Sequence, residues 1–290
     1  MNEVKLTVKP KTPPKSTIGV YVLYHFPCQD GFGAAYAAWK KFGDKAVYQG
    51  VSYGKPIPEL IEPKEVYIVD FSYPKEELIA LSQKSKVVVL DHHKSAQEQL
   101  SGLEFAQFDM HRSGAGMTWD YFHGKDTRPW FINYIEDRDL WLHKMPNAHE
   151  IAAALFSYPM DFKIWDQFSK DIMLTEGTAI LRYKNIITDE MTTAHRLLDF
   201  LEFKGVPVVN ASGSLISDIG EVLRQKYPTS PFCAIYYDTR DGKRKWSLRS
   251  SDQQEDVAGI AARFGGGGHR NSAGFIEPVP ESIIKLGVKF

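Results

Sequence analysis

The sequence predicts an α/β protein in which a parallel-sheet domain is joined by a long helix to a smaller α/β domain. In the first half of the chain, short apolar runs that are typical of buried strands alternate with helical segments, which indicates βαβ units and a parallel sheet. In the second half, a long amphipathic stretch precedes a further set of strands and helices. These two observations together predict the fold class.

The elements of the first domain follow from the apolar runs. In chain order, we predict strands at 18–24, 66–69 and 86–90, and helices at 33–39, 74–83, 114–122 and 130–134. The three strands each end at acidic residues or His/Asp clusters. Because open α/β sheets bind ligands beyond the carboxyl ends of their strands, this repeated placement predicts a site at one edge of the sheet.

The second half begins with the amphipathic stretch 175–203, which predicts a connecting helix that stops at Gly205 and Pro207. The elements predicted after it are strands at 206–210, 232–237 and 245–249, helices at 217–226 and 257–262, and a hairpin at Asp241-Gly242. We therefore predict a flexible leader at 1–17, a first domain at 18–174, a connecting helix at 175–204 and a second domain at 205–290.

The tripeptide Asp91-His92-His93 directly follows the strand predicted at 86–90. Since adjacent side chains of a strand point to opposite faces, three consecutive polar residues there predict a loop at the sheet's edge. Imidazole and carboxylate groups together suit a divalent transition metal such as Mn, Fe or Zn. A polar loop with two histidines by coincidence is the alternative for this tripeptide alone.

A second motif is the glycine run Gly265 to Gly268, followed by His269 and Arg270. Glycines let the backbone approach a phosphate and turn its amides towards the anion. The residues 272–274 could also open a helix whose first amides favour phosphate. The segment lacks the residues of a nucleoside-triphosphate loop and of a dinucleotide fingerprint, and a flexible linker is the alternative.

Composition narrows the function classes. The 290 residues are 43% hydrophobic with a net charge of −1, so the chain has ample core and no global basic field for long nucleic acid. The two cysteines, Cys28 and Cys233, form no disulfide framework and fit a reducing compartment. The sequence has neither a long apolar run nor a signal-like start, so we predict a cytoplasmic protein without membrane partners.

Together these motifs resemble the DHH phosphoesterase superfamily, specifically its DHH-DHHA1 branch of nano-RNases (oligoribonucleases), pAp phosphatases and RecJ-type exonucleases. The resemblance covers about residues 18–287. The residues that carry it are Asp91-His92-His93, His25 with Asp30-Gly31, Asp70, the pair Asp137 and Asp139, and the block Gly266-Gly-Gly-His269-Arg-Asn-Ser-Ala-Gly274. In that block, Ser272 replaces the first alanine of the family's pattern.

The resemblance implies two bound divalent metal ions, usually Mn, and a catalytic centre formed by Asp91, His92 and His93. The implied metal ligands are His25, Asp30, Asp70, His92 and either Asp139, which we favour, or Asp137. The implied substrate-binding residues are Arg249, Ser250, Gly266, Gly267, Gly268, His269 and Arg270. Of these, Arg249 and Ser250 lie in a segment that resembles the family's substrate-contacting strand.

Cys28 stands where the family usually has the first aspartate of an Asp-x-Asp motif. A thiolate ligand would favour Zn or Fe over Mn, whereas a small buried cysteine would leave the metal preference unchanged. The sequence leaves both interpretations open.

The resulting functional hypothesis is a metal-dependent phosphoesterase that acts on a short single-stranded oligonucleotide or a small phosphorylated nucleotide such as pAp. Two alternatives are a catalytically weak nucleotide-binding sensor and a polyphosphate or pyrophosphate hydrolase. The glycine block argues against the hydrolase of inorganic phosphates, and the nearly complete ligand set argues against the sensor. The oligomeric state, monomer or homodimer, is left open.

Overall fold

The computed structural model describes residues 19–279, so the predicted leader 1–17 lies outside the described residues. The chain divides into two compact units, Met1–Leu181 and Arg182–Phe290. Among the described residues, none of the helices is both long enough and apolar enough to span a lipid bilayer.

The first unit contains a five-stranded parallel sheet flanked by helices. Its strands are β1 (Val20–His25), β2 (Val47–Val51), β3 (Glu65–Val69), β4 (Lys86–Asp91) and β5 (Ala106–Phe108), in the spatial order β2-β1-β3-β4-β5. Its helices are α1 (Gln29–Phe42), α2 (Lys75–Ser82), α3 (Lys94–Gln99), α4 (Gly114–His123), α5 (Trp130–Asp139), α6 (Ala148–Ser157) and α7 (Phe162–Trp165), followed by α8 (Lys170–Thr193), which contains the boundary between the units.

Both faces of this sheet are buried, which explains why its strands read as continuous apolar runs. Along β4, Val88 and Leu90 face the core that includes residues of α1, α4, α5 and α6. Val87 and Val89 face the second core, which includes Leu78 of α2. Helices therefore cover both faces of the sheet. Functional residues are expected at the ends of its strands, because the faces are occupied by the core.

The second unit is built on a six-stranded mixed sheet in the order β10-β11-β9-β8-β7-β6. Its elements are β6 (Arg196–Phe200), β7 (Phe203–Asn210), α9 (Ile216–Lys226), β8 (Cys233–Asp238), β9 (Lys243–Arg249), α10 (Val257–Ala262), β10 (Gly267–His269) and β11 (Ser272–Pro278). Only the β7–β8 pair is parallel among the strand pairs of residues 196–278. The α/β fold class predicted from the sequence is confirmed in both units.

The connecting helix differs from the prediction at 175–204. It begins at Lys170 and ends at Thr193, and residues 196–200 form β6 instead of the last helical turns. Leu197 and Leu198 have helical spacing relative to the preceding apolar residues, but they pair antiparallel with β7, opposite Pro207 and Val206. The predicted helix stop at Gly205 and Pro207 therefore lies inside β7, because antiparallel pairing of β6 with β7 outweighed the helical periodicity.

Two smaller predictions were wrong. Asp91 is the last residue of β4 and is fully buried, whereas the sequence predicted that it lies in a loop at the sheet's edge. Residues 272–274 begin the strand β11 and not a helix. The close approach of Gly274 to β9 explains the latter: a β-carbon there would lie 2.6 Å from the carbonyl oxygen of Trp246, so the glycine permits tight strand pairing.

Candidate metal centre

The candidate site lies at the carboxyl ends of β1, β3 and β4, which are neighbours in the sheet. His25 ends β1, Asp70 directly follows β3, and His92 and His93 directly follow β4. Parallel strands bring these ends to one edge, as the sequence predicted. The site is completed by Asp30 from the first turn of α1 and Asp139 from the last residue of α5.

Three carboxylates converge on one imidazole. The Nε2 atom of His92 lies 3.2 Å from Oδ1 of Asp70, 3.7 Å from Oδ2 of Asp30 and 3.5 Å from Oδ2 of Asp139. Asp30 and Asp70 are buried. Three acidic groups at this separation repel one another unless cations neutralise them.

Asp30 is held by the start of α4. The backbone N–H groups of Gly114 and Ala115 donate to its two carboxylate oxygens at 2.6 and 2.9 Å. The same helix is capped by Ser113, whose hydroxyl accepts from the N–H of Gly116 at 3.1 Å. The first turn of α4 thus fixes the orientation of a candidate ligand.

Asp70 adopts an unusual backbone conformation, with φ of 55° in the left-handed region. Such a conformation is uncommon for residues other than glycine, and it is often found at functional sites. The conformation is stabilised by the N–H of Asp70, which donates to the carbonyl of Leu90 on β4 at 2.9 Å. The unfavourable backbone conformation of Asp70 therefore occurs where its carboxylate lies beside both His25 and His92.

The surroundings shift several pKa values. Burial would lower the pKa of His92, but Asp70, Asp30 and Asp139 outweigh burial and raise that pKa to about 10. Burial and the charge of Asp70 raise the pKa of Asp139 to about 6. Burial also raises the pKa of Asp30 well above its usual range, with Asp139 and Asp70 adding to the effect. These pKa shifts result from an excess of acidic groups in the site, and such an excess favours a bound cation.

Three overlapping groups of side chains could each hold a metal ion, with their ligand atoms within 4.8 Å of one another. The groups are His25 with Cys28 and Asp70, Asp70 with His92 and His93, and Asp30 with His92 and Asp139. Because Asp70 belongs to two groups and His92 to two, the arrangement suits adjacent cations that share ligands. The sequence-predicted ligands His25, Asp30, Asp70, His92 and Asp139 are thus brought together.

The donor atoms themselves fit a metal. Within residues 19–279, neither Nδ1 of His25 nor Oδ2 of Asp70 has a hydrogen-bond partner, although both atoms are buried and lie 3.6 Å apart. Buried polar atoms are normally satisfied, so unpartnered ones within a carboxylate–imidazole cluster fit the coordination of a metal ion. The donor set suits Mn, Fe or Zn.

Cys28 lies inside this cluster, one position before α1. Burial raises the pKa of its thiol, and the nearby charges of Asp70 and Asp30 raise it further. The thiol is therefore a neutral group unless a cation is bound beside it. Its position makes both of the interpretations from the sequence structurally feasible.

Asp137 and Asp139 have different surroundings. The carboxylate of Asp137 accepts from the backbone N–H groups of Lys144 and Met145, at 2.8 and 3.3 Å, and so holds the loop that follows α5. It belongs to none of the metal-capable groups in the described part of the chain, whereas Asp139 does. Asp139, the candidate that we favoured, is therefore part of the candidate site. Asp137 instead holds the loop that follows α5.

Asp91 lies behind the site and contacts His93. Its Oδ1 atom is 2.6 Å from Nδ1 of His93 and also accepts from the backbone N–H of His92 at 2.8 Å. Its other oxygen accepts from the hydroxyl of Ser72 at 2.6 Å. A carboxylate that binds one nitrogen of an imidazole fixes the ring's orientation and tautomer. Asp91 is thus placed to position His93, which corrects the expectation that it lies in the reacting centre.

Sequence reasoning missed Tyr53 and Phe71. The ring of Tyr53 lies 5.5 Å from His25, 6.2 Å from His93 and 4.5 Å from Phe71, and 54% of the tyrosine is exposed. Phe71 follows Asp70 directly, so its proximity to a strand end was a usable signal. Tyr53 comes from a loop after β2, and no pattern in that loop distinguishes it.

The predicted substrate-binding residues all lie in the second unit. Arg249 ends β9 with its stem against Gly220 of α9, and within residues 19–279 no carboxylate is within ion-pair distance of it. Burial lowers the pKa of this guanidinium. Arg249 is partly buried, and its guanidinium donates to the carbonyl of Leu248 at 3.0 Å.

The neighbouring candidates are mostly engaged by their own unit. Ser250 is buried, and its hydroxyl donates to the carbonyl of Arg270 at 3.3 Å. The guanidinium of Arg270 donates to the carbonyls of Asp252 and Gln254, both at 3.2 Å, and thereby braces the loop after β9. Both residues thus have structural contacts in addition to any role with substrate.

The glycine block forms a β-hairpin in which β10 pairs with β11. Gly267, Gly268 and His269 are exposed there. Gly266 lies so close to β11 that a β-carbon would be 2.2 Å from the carbonyl oxygen of Gly274, and Gly268 has φ of 146°. The glycines are therefore needed for close strand packing, a role that the anion-nest interpretation did not include.

Solved structures share this architecture. RecJ from Thermus thermophilus, solved in complex with Mn²⁺, matches with a TM-score of 0.57 and 14% identity over 92% of this chain and 50% of RecJ. The pGpG-specific phosphodiesterase PggH from Vibrio cholerae matches with a TM-score of 0.50 and 12% identity over 92% of this chain and 95% of PggH. These likenesses show that the chain shares the α/β fold of RecJ and PggH.

Sequence comparison gives a nearer relative. No protein-family model matches the chain. The chain is 31% identical over 304 residues to the uncharacterized protein R106 of Acanthamoeba polyphaga mimivirus, an alignment that covers 94% of this chain and 72% of R106. The chain therefore belongs to the same protein family as R106.

Proposed function

We propose that this protein is a metal-dependent phosphoesterase that hydrolyses short oligonucleotides or small phosphorylated nucleotides such as pAp. The observation that carries the proposal is the convergence of Asp30, Asp70 and Asp139 on Nε2 of His92, beside the unpartnered buried atoms of His25 and Asp70. The fold shared with RecJ and PggH supports the same reaction class.

The ligands would be His25, Asp30, Asp70, His92 and Asp139, with Asp70 placed to join the two ends of the cluster. Divalent cations bound there would neutralise phosphate charge and make water a competent nucleophile near neutral pH. Mn is the first candidate, since RecJ was solved with Mn²⁺; Zn or Fe becomes the candidate if Cys28 is a ligand.

The remaining residues of the first unit would position the reaction. Asp91 holds the His93 ring at the rim of the cluster, so His93 would donate to a phosphate oxygen of the substrate. The backbone amides of Gly114 and Ala115 hold Asp30 and resist its displacement when substrate arrives. A preorganised arrangement of this kind needs little rearrangement during the reaction.

Residues of the second unit would bind the substrate. Arg249 and His269 would contact its phosphates, and the exposed glycines Gly267 and Gly268 would let its backbone approach closely. Ser250 and Arg270 would act by keeping the 250–254 loop and the glycine hairpin together. The net charge of −1 favours a short substrate over a long polyanion.

The test is hydrolysis of pAp, pGpG, an RNA dinucleotide, a 5-mer and a 24-mer by the purified chain in the presence of Mn, Zn or no metal. We expect metal-dependent loss of the dinucleotides or pAp and little turnover of the 24-mer. Asp70→Asn should reduce kcat/KM at least 100-fold, because it removes the carboxylate that two ligand groups share.

The matched control is Asp126→Asn, which alters an exposed carboxylate of the same unit. It should retain wild-type turnover. Binding of nucleotide without hydrolysis, with or without metal, would identify a sensor instead. Preferential release of phosphate from polyphosphate or pyrophosphate would identify the inorganic hydrolase and overturn the proposal.

A further inference from the structure

A cavity of about 200 Å³ opens beside the candidate metal centre, entirely within the first unit. Cys28, Asp30 and Asp139 form the part of its lining that belongs to the cluster. The rest of its lining includes further residues of α5, residues of α6 and Trp141, which follows α5. The cavity is therefore continuous with the place where a scissile phosphate would be held.

Apolar and aromatic residues form much of the lining of this cavity. Ile135 and Tyr134 contribute from α5, and Ala152, Leu155 and Phe156 contribute from α6. Phe156 is 55% exposed although it lines the cavity. An apolar surface next to a cluster of carboxylates is a combination that a purely inorganic anion does not use.

Trp141 and Arg138 form the rim. The guanidinium carbon of Arg138 lies 4.0 Å from the centre of the Trp141 ring, and 48% of Trp141 is exposed. Trp141 also has φ of 55°, a left-handed conformation that is exceptional for a bulky residue. The N–H of Trp141 donates to the carbonyl of Arg138 at 3.0 Å, which closes the turn that directs the indole to the cavity.

We infer that this cavity binds the nucleobase of the nucleotide whose phosphate is at the metal centre, with Trp141 and Arg138 as specificity-determining residues. The inference rests on the proposed phosphoesterase function and specifies its substrate class. It assigns the protein to phosphoesters that carry an aromatic base and excludes polyphosphate and pyrophosphate as preferred substrates.

Size and chemistry favour this occupant. Pockets for drug-sized ligands are roughly 300–1,000 Å³, so a cavity of about 200 Å³ accommodates a single flat ring system and not a longer oligonucleotide. Indole and guanidinium groups both stack on base faces without requiring a particular base. The arrangement therefore predicts selectivity for the presence of a base and little selectivity for its identity.

The experiment compares an RNA dinucleotide with the same dinucleotide that has an abasic residue at one or the other position, using Mn-loaded protein. In the wild type, the ratio of kcat/KM for the intact dinucleotide to kcat/KM for the abasic form should be about ten or more for at least one of the two positions. Stacking of a base on one aromatic side chain accounts for an effect of this size. Trp141→Ala should reduce that ratio about tenfold, and Trp141→Phe should retain most of it. Ala152→Phe, which fills the cavity from α6, should reduce the ratio without altering the indole.

The control for a general effect is Tyr183→Ala, which removes an exposed aromatic ring on α8 and should leave the ratio unchanged. A ratio near one in the wild type, with hydrolysis intact, would overturn the base pocket and leave the phosphoesterase proposal standing.

Calorimetric titration with AMP and with ribose 5-phosphate gives a readout that does not depend on turnover. Tighter binding of AMP that is lost in both Trp141→Ala and Ala152→Phe would support the pocket even if no phosphoester were hydrolysed. Equal binding of the two ligands would contradict it.

Discussion

Gly114 and Asp70 approach so closely that a β-carbon on Gly114 would lie 2.4 Å from Cβ of Asp70. Non-bonded carbon atoms do not approach that closely, so any side chain at this position would displace Asp70 or α4. The same glycine donates its N–H to Asp30 at 2.6 Å. Gly114 therefore sets the positions of two candidate metal ligands. Its lack of a side chain leaves room for Asp70, and its N–H holds Asp30 through a hydrogen bond.

The first prediction concerns Gly114→Ala. The added methyl group must displace Asp70 or α4, so affinity for Mn should fall at least tenfold, and the free energy of unfolding should fall by about 1–3 kcal/mol. Titration calorimetry and urea denaturation would measure the two effects.

The matched control for this change is Gly259→Ala in α10, where no atom lies within 4 Å of the added methyl group. That change should raise stability by about 0.5–1 kcal/mol, because alanine is the better helix former, and should leave Mn affinity unchanged. Unchanged Mn affinity in Gly114→Ala would show that Asp70 is not a ligand in this position.

The position of the site was predictable, because strand ends of a parallel sheet must meet at one edge. The sequence located His25, Asp70, His92 and His93 by that rule alone. It favoured Asp139 over Asp137 only through the family resemblance, because residues two apart on a helix point in different directions and the rotation of α5 is fixed by tertiary contacts. The amides at 144 and 145 that bind Asp137 lie in a loop with no recognisable pattern.

The errors in the fold have a common physical origin. Residues 196–200 have apolar spacing that fits a helix, and the decisive interaction is pairing with β7, which a local pattern does not contain. The start of β11 was assigned to a helix for the same reason: its partner Arg249 lies 23 positions earlier in the chain. By contrast, β3 and β4 were located to within a residue or two although their partners are also distant, because strands buried on both faces have continuous apolar runs.

The second prediction concerns the hydrogen bond between Asp91 and His93. Asp91→Asn keeps the shape of the side chain but loses the charge that orients the ring, so kcat should fall about 10–100-fold while Mn affinity changes little. Steady-state kinetics on the best dinucleotide would measure this effect.

The double variant Asp91→Asn/His93→Ala tests whether the two residues act as a unit. It should be no slower than His93→Ala alone, since the carboxylate acts through the ring. Ser72→Ala, which removes the third partner of Asp91, should produce a smaller loss in kcat than Asp91→Asn. Fully additive losses in the double variant would contradict the positioning role.

The third prediction concerns Cys28, whose thiol lies with His25 and Asp70 in one ligand group. If the thiol binds the metal, Cys28→Asp should shift the ratio of Mn to Zn affinity towards Mn by about tenfold or more, because carboxylate is the harder ligand. Competition titrations with a metal-sensitive dye would measure the ratio. Cys28→Ala is the control that removes the donor, and it should weaken Zn more than Mn. An unchanged ratio in both variants would assign Cys28 to packing.

The fourth prediction concerns the ion-pair network that joins α4 to α5. Arg128 contacts Asp120 and Glu136, and Arg112 contacts the same two carboxylates, with all four side chains less than a fifth exposed. Burial would raise the pKa of Asp120, but the two guanidinium groups outweigh it and hold that pKa below its usual range. The network also anchors the start of α4, since the N–H of Ser113 donates to Glu136 at 3.1 Å.

Arg128→Ala leaves two carboxylates facing a single guanidinium, so the free energy of unfolding at pH 7 should fall by about 3 kcal/mol. Because the pKa of Asp120 is depressed in the folded state, the ion pair stabilises the fold above the unfolded carboxyl pKa of about 3.9, and this contribution is lost as the pH falls through the folded value. The difference in stability between wild type and Arg128→Ala should therefore be largest near pH 7 and shrink by pH 3.5, as measured by urea denaturation at each pH. Lys86→Ala, which removes the exposed pair with Glu65, should cost less than about 1 kcal/mol. A stability difference for Arg128→Ala that is independent of pH would show that the arginine acts through packing and not through its charge.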